Sequence, residues 1–336
     1  MIWLWILLGA LLLLLLALAG GVIYMYRFGL SRRPFPWSKE YLDPWAERPS
    51  EPRLVDGKPF NPGGWGDAIV EGEQWMYDTY HKVGRRYTMK SYDGLMLAAD
   101  YFPPEGEAPR AIILLAHGYR SGPLLDFSIS TRDMLAMNLG CFIIHQRAHW
   151  ASEGDLITFG VRERYDVRDW AAFLTREFPG VPVILDGLSM GAATVMAAAA
   201  LDLPENVRGI IADCGYTSMQ GIFNKIIREW FHLPPFPLVP LTDLYCRARH
   251  GFGFTDVNSA KTLSKAKVPV LLAHGQADSF VPHAMAEEIY KAARDTVDIT
   301  FFSVPDAEHG LSYLIDNAGY RRLIGEFLDK CLKDNS

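Results

Sequence analysis

The stretch that most restricts how this chain can fold is residues 184–196, ILDGLSMGAATVM. It runs from a short apolar segment, through Gly187-Leu188-Ser189-Met190-Gly191, into small helix-forming residues. A strand reads up to Leu185 and a helix from Met190, so Ser189 stands at the join. Glycine two residues before and two after the serine fits a turn so sharp that a Cβ there would collide with neighbouring backbone. Such a turn lifts the serine Oγ clear of the strand. It also aims the free N–H groups of the following helix at it, which favours developing negative charge.

The chain around this join keeps the same rhythm. AIILLAHG, CFIIHQ, VPVILD, VRGIIADC, VPVLLAHG and DITFFSVP are short apolar runs that read as buried strands. Helical segments lie between them, among them RERYDVRDWAAFLTREF, with Tyr165, Val167, Trp170 and Leu174 among its apolar residues, and HAMAEEIYKAAR. DMLAMNLG reads as a helix closed by Gly140, and LSYLIDNAGYRRLIGEFLDKCL as a single final helix. RYTMKSYDGLMLAADYF reads as two extended runs around Asp93-Gly94, a hairpin signal. The alternation predicts an α/β domain with a mostly parallel central sheet and helices on both faces. More than fifty residues separate the strands ending near Cys214 and starting near Val268. A connection that long holds structure of its own, and its aromatic and proline-rich GIFNKIIREWFHLPPFPLVPL reads as a small cap, near 216–264, over the carboxyl edge of the sheet.

The N-terminus is a different material. From Met1 to Tyr26 there is no charged side chain. A membrane core of about 30 Å needs about 20 helical residues, so the run is long enough to span. Trp3 and Trp5 lie near one end and Tyr24 and Tyr26 near the other, as interfacial aromatics do. Ala17-Leu18-Ala19 resembles a signal-peptidase site, but no Lys or Arg precedes the run and it continues past that point. A retained anchor over residues 1–26 is the expectation. Arg27, Arg32 and Arg33 follow it, which places the main domain on the cytoplasmic face. Residues 27–66 are rich in Pro, Gly and aromatics and read as a linker or irregular strap whose tryptophans pack on the domain or dip into the bilayer interface. Residues 67–336 form the main domain.

Composition narrows the partners. The 336 residues are 49% apolar and 21% charged, enough for a packed core, and the formal charge of −6 gives no reason to expect nucleic acid. Cys141, Cys214, Cys246 and Cys331 are widely separated and suggest neither a disulfide framework nor a zinc site.

A serine hydroxyl is a weak nucleophile until a base takes its proton and an acid orients the base. Beyond Ser189, LLAHGQADSFVP places Asp278 in the loop after one strand, and FFSVPDAEHGLS places His309 in the loop after the next. Both loops lie at carboxyl ends, where sites in open α/β sheets form. Asp213 and Asp306 are rival acids. A carbonyl oxygen would sit between two backbone donors, the N–H of Met190 and that of Tyr119 after His117-Gly118. His117 and His274, each before a glycine at a strand end, read as turn-shaping residues, and Asp186 as a loop-pinning one. His145, His149 and Glu153 recur every fourth residue, a metal-ligand spacing only on a helix, whereas CFIIH reads as a strand; no metal and no organic cofactor are expected.

With these motifs the chain resembles the α/β-hydrolase superfamily from about Arg85 to the C-terminus: HGY after a strand, GLSMG at the elbow, HGQADSFVP at the acid and EHG at the histidine. It looks most like membrane-anchored bacterial members related to prolyl-oligopeptidase catalytic domains and small acyl esterases. The resemblance implies Ser189 as nucleophile, Asp278 as acid, His309 as base, and Tyr119 and Met190 as oxyanion donors. One departure stands out. Many relatives carry D-x-R-G-H-G-x-S-x-G after the fourth strand; here HQRAHWASEG has His145 for Asp and Ala148 and Trp150 for Gly, keeping Arg147, His149, Ser152 and Gly154. Trp150 is expected to alter the loop path or narrow the pocket. The reading is a carboxylesterase or lipase-like enzyme acting on a small-molecule acyl ester or lipid-like substrate. A peptidase, a thioesterase or a non-catalytic anchored binding protein are the alternatives.

Overall fold

The chain begins with helix α1 (Ile2–Leu30), which continues past Tyr26 to a C-cap at Ser31. In this computed structural model the described residues are 1–33, 42–49, 54–55, 58–59, 64–106 and 108–333. Two short strands, β1 (Leu54–Val55) and β2 (Lys58–Pro59), pair antiparallel. Part of the expected strap, Trp37 included, lies outside the described residues. Trp45 does not: it is buried, its Nε1 donates to Asp100 Oδ2 at 2.6 Å, and its ring stacks on Tyr80 at 4.2 Å. This tryptophan therefore packs against the domain.

Helix α2 (Gly66–Val83) follows. Sequence patterning missed it, because only one narrow stripe, Ile69, Val70 and Met76, is apolar and buried. Then come β3 (Arg85–Lys90), β4 (Met96–Phe102), β5 (Ala111–Ala116), α3 (Pro123–Ala136), β6 (Leu139–Ile144), α4 (Glu163–Glu177), β7 (Val183–Leu188), α5 (Met190–Ala198) and β8 (Val207–Asp213). The chain continues through α6 (Met219–Glu229), α7 (Leu238–His250), α8 (Ser259–Leu263), β9 (Val270–Gly275), α9 (His283–Ala293), β10 (Ile299–Val304), α10 (Ser312–Ile315) and α11 (Asn317–Cys331).

Eight strands form one sheet in the order β10-β9-β8-β7-β5-β6-β4-β3. Neighbours from β10 to β6 are parallel, and β4 runs antiparallel to β6 and to β3. Every residue of β5, β6 and β9 is buried, because helices cover both faces. On one face α4, α5, α8 and α9 pack, with Trp170, Val195, Leu263 and Ile289 in one cluster. On the other, α2, α3 and α11 bring Met76, Phe127 and Ile324 against the sheet. A third cluster joins the end of α1 to α6 and α7.

Two local readings change. Gly140 does not close a helix; it is the second residue of β6, where a Cβ would lie 2.8 Å from the Tyr101 ring. The left-handed residue after α3 is Asn138, at φ 58°. The final helix is also broken, into α10 and α11, because the Asp316 side chain accepts from the Gly319 amide and caps a new start.

Candidate active site

Close backbone contact builds the elbow between β7 and α5. A Cβ on Gly191 would lie 1.8 Å from the Ala116 carbonyl oxygen, and one on Gly187 would lie 2.3 Å from the Gly191 backbone. Ser189 takes φ 56°, ψ −112°, a costly conformation for a residue with a side chain. Its amide donates to the Asp213 carbonyl at 2.9 Å, so β8 helps hold the strained residue. All nine residues of α5 are buried, which its alanines allow by letting the helix press into the sheet.

The loops after β9 and β10 meet this serine. His309 Nε2 lies 2.9 Å from Ser189 Oγ, and its Nδ1 lies 2.8 Å from Asp278 Oδ2. The structure thus brings together the three residues that the loop order singles out. Asp278 is held from several directions. Its Oδ1 accepts the amides of Phe280 at 2.9 Å and Val281 at 2.7 Å. His274 Nε2 stands 3.2 Å from Oδ2. Burial raises the Asp278 pKa, but hydrogen bonds from His274 and His309 outweigh it and hold the carboxyl at about 2. An ionised acid facing Nδ1 fixes the tautomer that leaves the Nε2 lone pair on Ser189.

His274 does more than shape a turn. Burial lowers its pKa, but the Asp278 carboxylate, the Val281 carbonyl and the nearby Asp213 together outweigh that, and the net shift is upward. Its Nε2 bonds the Val281 carbonyl at 2.8 Å and stands beside the acid, and its signal in the sequence is a histidine four residues before Asp278 at the end of the same strand. His117 behaves as read: fully buried, its ring is driven well below the ordinary histidine range by burial and then by His149, and its Nε2 accepts the Gln146 amide at 3.2 Å.

Tyr119 and Met190 both line a cavity with Ser189. Among the described residues, neither backbone amide donates to a protein acceptor. The neighbouring Gly118 amide is engaged: it donates to Asp126 Oδ2 at 2.6 Å, and Ser121 Oγ donates to Asp126 Oδ1 at 2.5 Å. Asp126 on α3, unremarkable in the sequence, therefore fixes the loop that carries Tyr119.

Among the described residues His309 bonds Asp278 and neither rival acid. Asp213 Oδ1 accepts from Ser312 Oγ at 3.1 Å, and burial raises its pKa. Asp306 is exposed in a turn at φ 58°. Asp186 is pushed up to about 8 by burial and by Asp213 beside it. His145, His149 and Glu153 turn to three different partners. His145 Nε2 meets Asp100 Oδ2 at 2.7 Å, His149 Nε2 accepts the Arg120 amide at 3.0 Å, and Glu153 Oε2 accepts the Met96 amide at 2.8 Å. Cys214, Asp278 and His309 have ligand-type atoms within 4.8 Å of one another. Both His309 nitrogens are already engaged there, and burial pushes the Cys214 thiol well up, so these donors suit proton transfer better than metal binding.

The loop that departs from the superfamily pattern keeps a glycine-like path. Ala148 and Trp150, standing where glycine is usual, take φ 61° and 47°. The Trp150 ring crosses Gly122, where a Cβ would lie 2.2 Å from its Nε1, and that Nε1 donates to the Ser121 carbonyl at 2.7 Å. Its carbonyl accepts from Arg32 at 2.5 Å. Trp150 lines neither cavity at Ser189; it braces the Tyr119 loop against the segment after α1.

Two cavities meet at Ser189. One, of about 430 Å³, is walled by Met25 and Phe28 of α1, Ile222 and Phe223 of α6, Leu238 of α7 and Phe280, with no charged residue in its described lining. The other, of about 400 Å³, carries Asp126, Asp186, Asp213, His309 and Tyr313 among apolar residues.

Comparison with known proteins places this architecture. The profile of the prolyl oligopeptidase family matches residues 160–335, just over half of the chain. The uncharacterized protein YqkD of Bacillus subtilis (strain 168) is 27% identical over 198 residues, which are 58% of this chain and 64% of YqkD. Less than two thirds of that relative is therefore spanned. Human monoglyceride lipase is 28% identical over 222 residues, covering 55% of this chain and 71% of the lipase. An esterase of Pyrococcus furiosus superimposes with a TM-score of 0.60 at 17% identity, over 74% of this chain and 91% of the esterase. At that identity the likeness shows the fold, that of the α/β hydrolases.

Proposed function

Because this chain belongs to the prolyl oligopeptidase family of α/β hydrolases, we propose that it cleaves carboxylic esters with Ser189 as nucleophile, His309 as base and Asp278 as acid. The observation that carries this reading is the unbroken chain from Ser189 Oγ through both nitrogens of His309 to Asp278, opening on a charge-free cavity.

His309 Nε2 takes the Ser189 proton as Oγ bonds to the ester carbonyl carbon. The carbonyl oxygen becomes an oxyanion held by the amides of Met190 and Tyr119. The ester C–O bond then breaks, and His309 returns the proton to the departing alcohol. Water attacks the acyl-serine, gives one proton to His309, and the acid leaves as Ser189 Oγ recovers that proton. Asp278 stabilises the imidazolium in both halves. The acyl chain takes the apolar cavity and the alcohol the mixed one.

An ester is favoured over a peptide because the acyl cavity has no charged side chain to recognise a peptide's flanking groups. One relative bears the name monoglyceride lipase, which accords with an apolar acyl group. Helix α1 is long and apolar enough to cross a membrane. We read it as a retained anchor with the domain on the cytoplasmic side, where Arg27, Arg32 and Arg33 follow the helix.

Labelling with a fluorophosphonate probe tests the reading. Folded wild type is expected to label and Ser189→Ala not to, with loss of about 10⁴-fold or more in ester turnover. A folded wild type that neither labels nor turns over p-nitrophenyl esters sinks it.

A further inference from the structure

Helix α1 has two parts that meet different surroundings. Residues 2–20 stand clear of the domain: Leu7 is 67% and Leu13 69% exposed. The last three turns pack instead, with Met25 at 6% and Leu30 at 0%. At about 1.5 Å per residue the free part is about 28 Å long, against a hydrocarbon core of about 30 Å. The helix therefore leaves the bilayer near Gly20, and Gly20 is already on the wall of the apolar cavity.

The docked turns are tied to the reaction centre. Tyr119, assigned above as an oxyanion donor, donates its hydroxyl to the Gly29 carbonyl at 2.9 Å. The Arg120 guanidinium donates to the carbonyls of Phe28 at 2.8 Å and Ser31 at 2.9 Å. These bonds satisfy carbonyls that a helix end leaves without partners. From Phe28 back to Gly20 the cavity follows the helix for about 12 Å. The cavity that Gly20 helps line is also partly open on apolar side chains of the cap: Trp230 is 58% and Leu233 50% exposed. Phe236 at 76% and Leu244 at 61% extend the same cap surface. Exposed side chains of this size, continuous with a helix of membrane length, suit a lipid surface and not water.

We propose that the substrate is a long-chain acyl ester held in the bilayer, and that it reaches Ser189 along α1, whose last three turns form a wall of the acyl cavity. This rests on Ser189 being the acyl-accepting nucleophile. The helix then sets chain-length preference as well as attachment, and the acyl chain passes from lipid to cavity without crossing water.

The test uses the full chain in phosphatidylcholine vesicles, with p-nitrophenyl butyrate and p-nitrophenyl palmitate as probes. No atom lies within 4 Å of a Cβ placed on Gly20, a residue of the cavity wall, so Gly20→Phe starts its side chain in open space there. Its palmitate-to-butyrate ratio of kcat/KM is expected to fall about tenfold or more. Leu238, whose Cδ1 would touch a Cβ on Gly21 at 3.0 Å, lines the same cavity, and Leu238→Ala is expected to move the ratio the other way. If Gly20→Phe does not fold, Leu238→Ala carries the comparison. Palmitate ester in the enzyme's own vesicles is expected to be consumed faster than the same ester in separate vesicles. Unchanged ratios in variants that still label with fluorophosphonate, or equal rates from both vesicle populations, overturn the bilayer route and leave the esterase reading standing. A wild type that neither labels nor cleaves butyrate overturns the esterase reading itself.

Discussion

The two sides of Ser189 are made differently. On one side the wall comes from α1 and, about two hundred residues later, α6 and α7, which meet it through side-chain packing. On the other it comes from α3, α10 and the ends of β7 and β8, with Asp126, Asp186, Asp213 and Tyr313 at fixed polar positions. The apolar side is shaped by contact and tolerates change in volume. The polar side is shaped by directed hydrogen bonds, where an unpaired buried group is costly. Acyl selectivity should therefore shift by degrees, while the alcohol side should fail abruptly when a bond is removed.

The largest break is expected where both sides share a part. Asp278→Asn should leave the fold intact, because the side-chain oxygen can still accept the Phe280 and Val281 amides. It should lower kcat for every ester by about 10⁴-fold, since the tautomer of His309 is no longer fixed. Next, on the polar side, Asp126→Ala frees the Gly118 amide and Ser121 hydroxyl and lets the Tyr119 loop shift. A loss of about 100-fold in kcat, for short and long esters alike, is expected from steady-state assays. An effect restricted to long chains would break the comparison.

On the apolar side, Arg120→Ala removes two hydrogen bonds to the end of α1. It should lower unfolding free energy by about 1 kcal/mol, read by thermal melting in detergent. Its catalytic effect should fall on chain-length preference before short-chain turnover. The smallest effect concerns Asp186, pushed up to about 8. Its folded-state pKa lies above the ordinary carboxylate value of about 3.9. The folded chain therefore keeps a proton that the unfolded chain releases, so stability falls as pH rises from about 4 to 8. Asp186→Asn should flatten melting temperature against pH over that window.

Much of the candidate site was legible because its parts are local or set by topology. Gly187 and Gly191 announce the elbow, since their side-chain positions are filled by backbone. Asp278 and His309 fall in loops after successive parallel strands, so their order places them on the same edge as Ser189. Other roles were hidden because they depend on how the loops fold back on themselves, which residue spacing does not show. Asp126, on α3, braces a loop eight residues back through one amide. His274 looked like a turn residue until the fold set it beside the acid. Trp150 looked like an obstruction, and folding turned its ring away from both cavities to brace the Tyr119 loop.

The sequence by itself determined the alternation of strands and helices, the elbow and the apolar N-terminal run, because each rests on periodicity or on backbone sterics over a few residues. Tertiary structure decided which acid meets His309, how the Tyr119 loop is held, and that the end of α1 walls the apolar cavity at Ser189. Those outcomes depend on packing between segments up to two hundred residues apart, as where Phe223 lies against Gly29. Side-chain contact over such separations leaves no periodic trace in the chain.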